Sequence, residues 1–88
     1  MNKSYKITIY TSDNCAFCHA AKEIFKEKKL QFEEINISKD DKLKNEMIKK
    51  SNGMMTVPQI FVNSKHIGGF QELSDLTNSK KMNEIISK

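Results

Sequence analysis

Arginine is absent: all fifteen basic residues in this 88-residue chain are lysine, set against eleven acids for a net charge of +4. Nucleic-acid recognition leans on guanidinium forks for base edges and on aromatic rings for stacking. No basic cluster here carries either, so no nucleic-acid partner is expected. The lysines are instead interspersed with acids, and Glu23/Lys26 and Glu46/Lys50 have the spacing of ion pairs on a solvated helix face. Long hydrophobic runs are also missing. None approaches the roughly 20 residues needed to span a membrane, and residues 1–6 contain no apolar signal core. No membrane contact and a cytoplasmic location are therefore expected. With 38% hydrophobic and 30% charged residues, five Phe and ten Ile, the chain is neither disordered nor collagenous. Its length suits one modest core.

Cysteine is scarce too, and both copies lie together in Cys15-Ala16-Phe17-Cys18. A disulfide across two residues closes too small a loop to constrain the unfolded chain much. Chemistry explains the pair better than a structural staple does.

What the chain does contain is periodic. Lys6 to Tyr10 alternates and is rich in β-branched residues, as in a strand. Thr11 to Asn14 is a polar break of helix-capping types. From Cys15 to about Lys29, Ala20, Ala21, Ile24 and Phe25 recur at helical spacing. Gln31 to Ile37 reads as a second strand. Ser38 is placed to cap a helix over about Lys39 to Lys50, with Leu43, Met47 and Ile48 facing the core and Asn52-Gly53 ending it. Gln59–Val62 and Lys65–Ile67 flank Asn63-Ser64 as a hairpin with a two-residue turn. After Gly68-Gly69 comes a helical tail with Leu73, Leu76, Met82, Ile85 and Ile86 on its buried side. The first crossover should give a parallel strand pair and the hairpin an antiparallel one. The resulting fold class is α/β: a thioredoxin-like, four-stranded mixed sheet flanked by helices.

In that arrangement the cysteine pair follows a strand and opens a helix. Unpaired amides and the positive end of the helix dipole favour a thiolate at Cys15, and the thiolate is the attacking species. Cys18, one turn further in, is placed as the resolving thiol, and Phe17 offers an apolar wall. Two buried cysteines acting as small hydrophobes is the competing explanation, disfavoured by the strand-to-helix setting. With His19 the string also matches a c-type haem attachment pattern, but haem attachment normally follows export. Zinc would need four ligands. Only His19 and His66 could add to the pair, and they read as a helix-surface and a solvent-face residue, so no metal site is expected.

Beyond the pair, Thr56-Val57-Pro58-Gln59-Ile60-Phe61-Val62 and His66-Ile67-Gly68-Gly69-Phe70 strongly resemble segments of glutaredoxins. With the first strand and Cys-x-x-Cys in the same order, the resemblance covers nearly the whole chain, so residues 1–88 are expected to form one domain. Thioredoxin itself fits less well, since there is no Trp before the cysteines and no Gly-Pro between them. Glutaredoxin-like reductants served by thioredoxin reductase are a closer alternative. The resemblance implies a cis Pro58, with the Val57 backbone beside Cys15 pairing with the cysteine portion of glutathione. It implies that Thr56 borders this groove. It also implies that Gly69, Phe70 and the start of the last helix receive the γ-glutamyl carboxylate through backbone amides, with Gly69 allowing close backbone approach.

The chain departs from the family in four places. Ala16 and Phe17 replace the common Pro and Tyr. Ser12 stands where Lys is common three residues before the nucleophile, and Asp13 follows it, which should raise the Cys15 pKa against the helix dipole. The glycine carboxylate of glutathione then lacks its usual partner, for which Lys49 or Lys50 could substitute. Gln71, followed by Glu72, replaces an Asp that often meets the glutathione amine. The function implied is glutathione-dependent reduction of protein disulfides and glutathionylated proteins by a monomer, with Cys15 as nucleophile and Cys18 resolving. The alternative is a glutathione-assisted [2Fe–2S] carrier, dimeric through Cys15, favoured by the loss of Pro at Ala16.

Overall fold

The computed structural model describes residues 5–79 and residue 81. Seven elements follow in order: β1 (Ile7–Thr11), α1 (Ala16–Glu27), β2 (Glu33–Asn36), α2 (Asp41–Lys50), β3 (Gln59–Val62), β4 (Lys65–Gly68) and α3 (Phe70–Asn78). They build one sheet in the order β2-β1-β3-β4. β1 and β2 run parallel, with Tyr10 opposite Ile35, as a strand-helix-strand crossover through α1 requires. β3 is antiparallel to both β1 and β4. The expected mixed, thioredoxin-like sheet is therefore present. Asn63 and Ser64 both take left-handed φ values, 52° and 69°, the twist that suits a two-residue hairpin turn.

Alternation along β1 sends Ile7 and Ile9 to one face of the sheet and Tyr10 to the other. On the first face Ile7 and Ile9 pack with Ile60 and Val62 of β3, Ala21 and Phe25 of α1, and Leu73 of α3. On the second, Tyr10 and Phe61 pack with Ile37 and with Met47 of α2, flanked by Leu43 and Ile48 as the helical spacing predicts. Leu76 borders the first core, whereas Met82, Ile85 and Ile86 lie outside the described residues.

The start of α2 differs from expectation. Asp40 caps it, its Oδ1 accepting the Lys42 N–H at 2.9 Å. An Asp caps as well as a Ser and adds charge at the positive helix end. Ser38 makes a different contact: its Oγ accepts the Asp13 N–H at 2.6 Å, tying the segment before Cys15 to the start of α2. The other end is as expected. Asn52 and Gly53 have φ values of 60° and 101°, and the Gly53 N–H returns to the Ile48 carbonyl at 2.8 Å. Between β3 and β4 the register shifts, so that Ile60 faces Gly68 rather than Ile67. Such an irregularity re-aims the chain that follows, here Gly68-Gly69 at the mouth of α3.

Candidate active site

Cys15 is the N-cap of α1, and its Sγ accepts the Cys18 N–H at 3.1 Å. No acid occupies the first turn of α1, so the positive helix end reaches the sulfur uncompensated from within that turn. Cys15 is half-buried and Cys18 only 2% exposed. Their sulfurs are bonded to each other in this structure. Just upstream, the Asp13 carboxylate accepts the Asn36 side-chain amide at 3.0 Å. Behind the pair, the buried Thr11 hydroxyl donates to Glu34 Oε2 at 2.7 Å, and Lys22 Nζ reaches the same oxygen at 2.9 Å. Thr11 foremost, then Lys22, holds the Glu34 carboxyl below its ordinary value. His19 lies on the exposed helix face, 3.9 Å from Glu23.

Opposite the sulfurs, the Val57-Pro58 bond is cis and the Val57 carbonyl oxygen lies 3.9 Å from Cys15 Sγ. Gln59 holds this loop from below. Its buried amide nitrogen donates to the Thr56 carbonyl at 3.0 Å and lies 3.3 Å from Thr56 Oγ1, while its amide oxygen meets His66 Nε2 at 2.7 Å. His66 is thus no free solvent-face residue: it is half-buried, with its ring 5.0 Å from that of Phe61. The one-in-two strand alternation could not reveal this, because Gln59 meets it across the hairpin.

Between the Val57 loop and α3 runs a groove of about 270 Å³, bordered by Phe17, Met54, Thr56 to Gln59, and Gly69 to Glu72. All six residues expected to hold glutathione (Thr56, Val57, Pro58, Gly69, Phe70 and Gln71) border it. So does Phe17, its ring 5.4 Å from that of Phe70. Ala16 is exposed at the helix start and Ser12 is half-buried. Ser12 borders a separate hollow shared with Lys44, Met55 and Val57. One donor is not open as expected. The Gly69 N–H donates to Glu72 Oε1 at 2.7 Å, because Glu72 sits where a helix side chain reaches back to its own cap. Phe70 and Gln71 supply the next backbone amides of that turn. Gly69 itself packs close to the neighbouring loop, since a Cβ there would stand 3.2 Å from the Pro58 carbonyl oxygen.

Lys50 is not positioned to serve the groove. It lies 3.4 Å from Glu46 and borders a cavity with Lys6 and Tyr10 on the α2 face of the sheet. Lys44, six residues earlier on α2, borders the Ser12 hollow instead.

The glutaredoxin family model matches residues 7–67, from β1 through the cysteine pair and the cis proline into β4. The chain belongs to the glutaredoxin family. Glutaredoxin 1 of Rickettsia conorii is 38% identical over 89 residues, spanning 98% of this chain and 87% of the relative. The solution structure of a glutaredoxin from Brucella melitensis superposes with a TM-score of 0.83 at 33% identity, covering 97% of this chain and 91% of that one. A buckwheat glutaredoxin–glutathione complex, 20% identical, shares the fold with a TM-score of 0.84 over 97% of this chain and 79% of its own. Members of the family are thiol–disulfide oxidoreductases, and this glutaredoxin carries their dithiol pair at Cys15 and Cys18. Among the described residues no three or more His, Cys, Asp or Glu side chains gather as a metal-ligating group. No described helix is long and apolar enough to cross a membrane.

Sequence reasoning gave no role to Met54, Gln59 or Lys44, and named Glu72 only as the neighbour of Gln71. Glu72 had a signal, since it stands three residues after the cap Gly69. Met54 and Lys44 had none, because their place depends on how α2 and its turn dock against the sheet.

Proposed function

We propose that this glutaredoxin is a glutathione-dependent reductase of protein disulfides and glutathionylated proteins. The observation that carries the reading is the half-buried Cys15 sulfur, backed by the Cys18 N–H and faced by the Val57 carbonyl beside an open groove. In the reduced protein the Cys15 thiolate attacks a substrate sulfur. The substrate S–S bond breaks, its leaving thiolate takes a proton, and a mixed disulfide on Cys15 remains. Either the Cys18 thiolate or a glutathione thiolate attacks next. Attack by Cys18 closes the internal disulfide, and two glutathiones then restore the dithiol while becoming one glutathione disulfide.

The groove suits glutathione along its length. Its cysteinyl backbone would lie beside Val57 as an added strand. Its γ-glutamyl carboxylate would meet the Phe70 and Gln71 amides at the start of α3, and its ammonium the Glu72 carboxylate, the one acid among the bordering residues. Lys44, across Val57, supplies a cation toward the glycine carboxylate in place of the lysine absent at Ser12. The glutathione bound by the buckwheat relative supports the same ligand here. A monomer working in the reducing cytoplasm fits a dithiol that must be re-reduced after every turnover.

Cys15→Ser should abolish reduction of a glutathione mixed disulfide, while Cys18→Ser should retain much of it. Equal loss in both would overturn the assignment of roles. The reductant is decided by regenerating the same disulfide substrate assay with glutathione and its reductase or with thioredoxin reductase. Turnover only with the latter would overturn glutathione dependence.

A further inference from the structure

Two thioethers lie on either side of Val57, and neither takes part in the sulfur exchange itself. Met55 is 69% exposed and Met54 45%, while Met47 is fully buried against the sheet. The exposure of the first two comes from a fixed turn rather than a frayed one. Ser51, itself buried, donates its hydroxyl to the Met54 carbonyl and receives the Met54 N–H, both at 3.2 Å. The adjoining Gly53 N–H closes back on Ile48. The side chains are therefore presented outward on either side of Val57. Met54 borders the groove shared by Val57 and Phe70, and Met55 borders the hollow that holds Ser12 and Lys44.

We propose that Met54 and Met55 are sites of oxidative modification by hydrogen peroxide, and that their sulfoxides weaken substrate engagement at Cys15. The second half of this proposal rests on the function proposed above. In each event a sulfur lone pair attacks peroxide and the O–O bond breaks. One oxygen stays on sulfur, and the other leaves as water with both protons. The thioether is oxidised by two electrons and the peroxide reduced by two. Susceptibility follows access, and the product is polar and chiral where an apolar, flexible side chain stood. At Met54 that oxygen would enter the wall along which the ligand lies. At Met55 it would enter the hollow beside Lys44 and compete for its ammonium group.

The test uses the full chain in its disulfide form, in which neither cysteine offers a thiol to peroxide. After a limited peroxide pulse and quenching, peptide mass mapping should find one added oxygen at Met54 and at Met55 well before Met47. Modification of Met47 at the same rate would overturn the site assignment. After reduction, the treated protein should show a severalfold higher KM for a glutathione mixed disulfide than the same protein before treatment. The Met54→Leu/Met55→Leu double variant, compared with itself before and after the pulse, should show little change. An equal rise in both proteins, or none in the parent despite full conversion, would overturn the effect on substrate. Absence of glutathione-linked activity before treatment would instead strike the proposed function, and the mass map would still decide where peroxide acts.

Discussion

At Cys15 the sulfur feels one favourable field and lacks another. The α1 terminus and the Cys18 N–H stabilise negative charge on it, but Ser12 contributes no positive charge from the preceding loop. Ser12→Lys should therefore lower the Cys15 pKa, read as a fall in the midpoint of thiolate absorbance with pH. An unchanged midpoint would remove this electrostatic account. Asp13→Asn should move the midpoint less, since the Asp13 carboxylate is already engaged by Asn36. The same scale separates the lysines. Lys44→Glu should raise the KM for a glutathione mixed disulfide severalfold, and Lys50→Glu should leave it unchanged, because Lys50 pairs with Glu46 on the α2 face of the sheet.

Between elements, two contacts hold the site's frame, and each predicts a distinct loss. Glu34 of β2 joins Thr11 of β1 to Lys22 of α1, and these partners depress its pKa. A carboxyl with a folded value below its unfolded one contributes stability in full above the unfolded value, and loses it as pH falls through the folded one. Glu34→Gln should thus lower stability at neutral pH but not in strong acid. The loss should stay below ~1 kcal/mol because the pair is partly solvated, and urea unfolding at the two pH values measures it. At the β4–α3 junction, Gly68 has a φ of 128° and an added Cβ would stand 2.7 Å from Glu72 Cγ. Gly68→Ala should cost roughly 1–3 kcal/mol in thermal or urea unfolding and push Glu72 off the Gly69 amide. These contacts also mark where sequence reading stops. Periodicity located β1, β3, the hairpin and the core faces of α1 and α2, because those depend on neighbours along the chain. The Cys15 cap and the cis Val57-Pro58 loop were legible from motif and order. The Asp40 cap displacing Ser38, the Gln59–His66 bridge and the place of Lys44 were not, since each is settled by which elements meet in space.

Across the whole molecule, one sheet separates a larger core under α1 and α3 from a smaller one under α2. The smaller core depends heavily on Met47, so Met47→Ala should cost about 2–5 kcal/mol, seen as a lower urea midpoint. The Thr11–Glu34–Lys22 clamp has a consequence of another kind. It fastens β1, β2 and α1 together without using Ala16, exposed at the helix start, or Phe17, whose largely exposed ring lies against Phe70. The two residues between the cysteines are thus an exchangeable cassette on an independently braced chassis. Libraries randomised at those two codons should yield mostly folded proteins, so that the reduction potential can be dialled across a panel of variants without re-engineering the scaffold.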